Sequence, residues 1–136
     1  MSATLTEALP TTVATTPTHA INWFEIPTLN LERAGSFYAH LLGTPLLKCG
    51  TDDVMYLLPS TQEGVGGALV HRLTQHPGSS GTMVYLNVDG QLESALARGL
   101  SAGATLLMPK TAVPGNHGYF ACIRDTEGNH IGLHSH

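Results

Sequence analysis

TQEGVGGALV (Thr61–Val70) and DTEGNHIGLH (Asp125–His134) carry a Glu-Gly pair at the same place and lead into an apolar, Gly-containing run. Both segments close a longer pattern that occurs twice, and a repeat of that size decides the fold. Working back from Val70, strand candidates lie at Gly67–Arg72, Val54–Leu58 and Pro45–Cys49. Turn residues separate them at Gly50–Asp53 and Ser60–Gly66. Before these comes a helix whose stripe is Leu31, Ala34, Tyr38 and Leu41, with Asn30 as N-cap and Gly43 as its stop. INWFEIP (21–27) opens the unit as a strand, with Trp23, Glu25 and Pro27 on one side and Phe24 and Ile26 on the other.

Working back from His134 gives the same order. Strand candidates lie at His130–Ser135, Tyr119–Arg124 and Thr105–Pro109. A helix over Leu92–Ser101, with Leu92, Ala95, Leu96 and Leu100 apolar and Gly103 as its stop, follows a strand at Thr82–Val88. The chain therefore reads as α+β, two tandem βαβββ modules (21–72 and 82–136) forming a curved mixed sheet. The polar loop QHPGSSG (75–81) joins them. One such unit leaves a face of its sheet bare, and two can enclose a trough. Residues 1–20, rich in Thr, Ala and Pro without periodicity, read as an N-terminal arm for which a neighbouring subunit is a plausible dock.

The 136 residues are one domain's worth of chain, and 42% hydrophobic content supports a core without staples. Charged residues make up only 12%, the net charge is −4, and the six Lys and Arg are scattered. Nucleic acid and anionic membrane surfaces, which need a basic face, are poor partners for such a chain. No apolar run approaches the roughly 20 residues of a membrane span, and MSATLTEALPTTV has no basic n-region or apolar h-region. The two cysteines, Cys49 and Cys122, read as reduced thiols in a cytoplasmic protein.

Three segments in this order, NWFEIPTLNLERAGSFY, VYLNVDGQLESALARGLSAGA and RDTEGNHIGLHS, resemble the vicinal oxygen chelate superfamily. That superfamily includes glyoxalase I, extradiol dioxygenases and bleomycin-resistance proteins. The resemblance covers Ile21–His136 and is closest to the single-domain, glyoxalase-related branch. It implies the paired-module fold, a trough that takes a small molecule, and a homodimer whose subunit contact lies at or near the trough. Chelating members hold a divalent metal through the first and last strand of each module. Those positions fall here on Trp23, Ala68, Met83 and Gly132. Trp, Ala and Gly offer no ligand and Met only a soft thioether, so neither a metal nor another cofactor is assigned. Glyoxalase I and dioxygenase chemistry, which need the metal, are disfavoured.

Strand parity places Tyr85 with Met83, and His130 and His134 with Gly132. A trough lined by Trp23, Glu25, Met83, Tyr85, Gly132 and His134 follows, with room left at Gly132. Within it Glu25 is the candidate base, its carboxyl raised by burial. His134 is its partner or acid, and Tyr85 is an oxygen-stabilising donor. A structural Glu–His hydrogen bond is the competing role. Phe120, Cys122 and Arg124 share one face of their strand and join the candidate ligand-binding set, Cys122 reading first as a core thiol. A non-standard metal site from Glu25, His134 and His71 or His136 has no spacing signature behind it. The expected function is metal-independent binding of a small aromatic or carbonyl-containing molecule, with proton-transfer chemistry of lyase or isomerase type. A non-catalytic, bleomycin-resistance-like sequestering protein is the alternative, and a metal-dependent lactoylglutathione lyase the weakest reading.

Overall fold

A computed structural model describes residues 16–136; most of the N-terminal arm, residues 1–15, lies outside the described residues. The elements run β1 (Trp23–Pro27), α1 (Leu31–Leu42), β2 (Leu47–Cys49), β3 (Met55–Leu57), β4 (Gly66–Val70), β5 (Val84–Asn87), α2 (Leu92–Ser101), β6 (Thr105–Ala112), β7 (Tyr119–Arg124) and β8 (His130–Ser135). This is βαβββ twice. Each module makes one four-stranded mixed sheet, ordered β1-β4-β3-β2 and β5-β8-β7-β6. In both, the first strand runs parallel to the last, and the others pair antiparallel.

Both helices lie on the inner side. Asn30 caps α1 by accepting from Arg33 N at 3.0 Å, and Gly43 ends it in the left-handed region at φ 72°. The α1 face made of Ala34, Phe37, Tyr38 and Leu41 is buried against Ile26 and Leu69 of its own sheet and against Leu92 and Ala95 of α2. The helices approach closely where Leu41 meets Gly99; a Cβ at Gly99 would sit 2.8 Å from the Leu41 side chain. This differs from the expected stripe of α2. Gly99 is buried where α1 packs on α2, while Leu100 is 38% exposed.

One apolar core thus serves both modules, with Ile123, Ile131 and Leu133 completing it from the second sheet. Among the described residues, nothing covers the opposite face of each sheet, where Trp23, Leu47 and Tyr85 are exposed. Strand β6 continues past the expected end at Pro109 to Ala112, and nearly all of it is exposed. Among the described residues, no helix is long and apolar enough to cross a membrane.

Candidate functional site

Side-chain alternation sends Phe24 and Ile26 into the core and Trp23, Glu25 and Pro27 to the open face of the first sheet. Register puts Glu25 opposite Ala68. On this face Trp23 is 45% exposed and Leu47, at the sheet's far edge, 67% exposed. On the second sheet, Tyr85 pairs with Gly132, Cys122 with Gly132 and Met108, and Phe120 with His134. These residues form one surface, on which the Tyr85 and Phe120 rings meet edge to face with centroids 6.2 Å apart.

The expected site residues therefore fall into two groups. Trp23 and Glu25 touch directly, Trp23 Nε1 donating to Glu25 Oε2 at 3.3 Å. Glu25 and Met83 both line the cleft between the modules, with Thr82, Asn129, His76 and His130. Tyr85, Phe120, Cys122, Gly132 and His134 lie on the second sheet. Arg124 ends β7 and is exposed.

Glu25 and His134 have different partners. Glu25 forms an ion pair with Arg72 and accepts from Gln75 Nε2 at 3.3 Å. The Arg72 guanidinium also holds Asp53 at 2.7 Å. The expectation that burial raises the Glu25 carboxyl is corrected. The hydrogen bond from Arg72 outweighs desolvation and holds it below the ordinary glutamate range. His134 Nε2 meets the His117 carbonyl at 2.7 Å. That contact makes Nε2 the protonated nitrogen and leaves the lone pair on Nδ1. Burial pushes the Cys122 thiol up, away from nucleophile behaviour.

Gly132 does not leave the expected room. A Cβ there would lie 2.2 Å from Tyr85 Cδ1, so the Tyr85 ring covers the backbone where a longer side chain would begin. Ala68, its counterpart in the first module, is fully buried. The four positions that would chelate a metal in the resembling family are Trp23, Ala68, Met83 and Gly132, and they do not fit one. They supply a single soft donor, and an aromatic ring lies over the last of them.

Some organising residues escaped sequence reasoning. Arg72 follows Val70 by two positions, so parity could have put it beside Glu25, but it lay at the edge of the strand candidate. Glu127 reads in the sequence as part of the repeat and as one possible partner of Arg124, but it pairs with Arg33 instead. Its side chain is fully buried, it accepts from Leu29 N and Asn30 N at 2.9 and 2.8 Å, and it pairs with Arg33 at 2.8 Å. Asp125 takes a 2.5 Å hydrogen bond from the hydroxyl of buried Tyr38. Both acids fasten the second module's last turn to the first module.

The family model described as Glyoxalase/Bleomycin resistance protein/Dioxygenase superfamily matches residues 20–133. The chain belongs to that superfamily. Among solved structures, it is similar to a glyoxalase/bleomycin resistance protein from Streptomyces sp. CB03234, at 26% identity and TM-score 0.64, covering 82% of this chain and 96% of that one. A glyoxalase/bleomycin resistance protein from Albidiferax ferrireducens T118 shares the fold at 20% identity and TM-score 0.69, covering 85% and 98%. So does TnmS3, an antibiotic binding protein from Streptomyces sp. CB03234, at 24% identity and TM-score 0.67, covering 90% and 98%. Comparison with curated proteins finds no match.

Proposed function

We propose that this protein binds a small, flat aromatic or carbonyl-containing molecule against its open sheet faces, as a homodimer, and sequesters rather than transforms it. The observation that carries the reading is the combination of exposed aromatic surface with a neutralised acid. Trp23 and Tyr85 are 45% and 52% exposed on the open faces, while Glu25 is already committed to Arg72. A carboxylate held low by a guanidinium is a weak base, and exposed rings are stacking surfaces for a planar ligand. The cleft between the modules, which Glu25 and Met83 line, measures about 130 Å³, below the roughly 300 Å³ at which small-molecule pockets begin. A second copy laid over the exposed faces supplies the missing walls. The antibiotic-binding role of TnmS3, which shares this fold, is consistent with such a use of the trough.

The competing reading keeps Glu25 as base, His134 as acid and Tyr85 as donor. Among the described residues Glu25 and His134 share no partner, so that reading needs the two residues to meet across copies.

Trp23 is the chain's single tryptophan, so its fluorescence reports directly on the site. Titration with a panel of polycyclic aromatic antibiotics is expected to quench it saturably. Tyr85→Ala should weaken binding, and Glu25→Gln should leave the compound intact and bound. Turnover that Glu25→Gln abolishes would establish the enzyme instead. Sedimentation at micromolar concentration is expected to show a dimer; a lone 14.4 kDa species would sink the assembly.

A further inference from the structure

Asp89, His134 and His136 each place a ligand atom within 4.8 Å of the other two. We propose that these three residues form a binding site for a divalent first-row transition ion, Zn(II) foremost, at the rim of the second sheet. None of them occupies a position from which the superfamily's usual metal would be held.

Two imidazoles and a carboxylate are the donors such ions prefer. His134 is prepared for the role. The His117 carbonyl takes its Nε2–H at 2.7 Å, which fixes the tautomer and leaves Nδ1 to ligate. A backbone carbonyl on the second nitrogen is the usual support of a metal-bound imidazole. The turn that provides this carbonyl is itself seated on β8, since a Cβ at Gly118 would lie 2.2 Å from Ser135 O.

The segment carrying Asp89 is tied at three points to β8 and the residue that follows it. Val88 N donates to His134 O at 2.9 Å, Gly90 N to Ser135 Oγ at 2.8 Å, and His136 N to Asp89 Oδ1 at 2.9 Å. Among the described residues Asp89 Oδ2 has no hydrogen-bond partner and can ligate. Asp89 and His136 are exposed, so small side-chain rotations bring the donors to the roughly 3.3 Å separations of a tetrahedral ion. Three protein donors leave a coordination position for water or for a donor atom of a molecule on the open face, where His134 lies next to Phe120.

Untagged protein stripped with chelator and titrated with Zn(II) alone tests this by calorimetry, with Co(II) visible absorption as a second readout. Neither needs an organic ligand, so failure here is separate from failure of the binding function above. One ion per chain is expected. His134→Ala and Asp89→Asn should each weaken binding roughly tenfold or more, and His40→Ala, on α1, should not. Asp89→Asn keeps an oxygen acceptor for His136 N, so its effect is not a folding defect; circular dichroism checks His134→Ala. The absence of saturable binding overturns the proposal. So does affinity equal to wild type in both variants, or binding lost only in Glu25→Gln or Met83→Ala, which would put the ion in the inter-module cleft.

Discussion

Glu127, on the last turn of the second module, lies wholly buried against Arg33 of the first module's helix at 2.8 Å. Its carboxylate also closes the two backbone N–H groups that precede α1, at Leu29 and Asn30. Burial alone would raise its carboxyl; Arg33, Asn30, Thr126 and Leu29 together bring it down to about 2. The equivalent Glu63 of the first module is exposed, so one copy of the repeated motif became a clasp and the other did not.

That clasp sets a pH dependence. A folded-state value of about 2 lies below the ordinary 4.5, so the stabilisation is fully present above the ordinary value and is lost as pH falls between the two. Glu127→Gln should cost about 2–3 kcal/mol at neutral pH and flatten the acid limb of the stability curve. Urea denaturation of both proteins across that range measures it.

Gly132→Ala drives a methyl into the Tyr85 ring. Overpacking of this kind costs about 1–3 kcal/mol, and the double variant with Tyr85→Ala should recover most of it. Thermal melts of the three variants check this; an unchanged melting temperature in Gly132→Ala alone would show that the ring turns aside freely.

Arg72→Gln should raise the Glu25 carboxyl toward the ordinary glutamate value, since Arg72 is the main cause of its depression. The ion pair's stabilisation, present above that value and lost in acid, disappears with it. An NMR titration of the Glu25 side chain reads the shift directly.

The two thiols should react in sequence. Cys49 is exposed, whereas Cys122 is half-buried with its thiol pushed up by burial. A disulfide reagent at neutral pH should label Cys49 first, and Cys49→Ser should remove the fast phase.

Much of the fold was legible locally. The helix Leu92–Ser101 and the strands Tyr119–Arg124 and His130–Ser135 fall where periodicity and turn residues put them. Parity sorted the open face from the core, because alternation is a property of the strand itself. The extension of β6 through Pro109 was not legible, since its pairing partner is β7 and its proline sits on an edge strand, where no ladder donor is needed.

The sequence by itself determined the repeat, the βαβββ order, the superfamily and the absence of hard or borderline donors at its four chelating positions. These depend on residue identity and on short-range spacing. Tertiary structure decided the partners: Glu25 with Arg72, Glu127 with Arg33, Tyr85 over Gly132, and Asp89 beside His134 and His136. Each of those relationships joins separate segments of the chain, and their charges and contacts take effect only once packing brings the segments within a few ångströms.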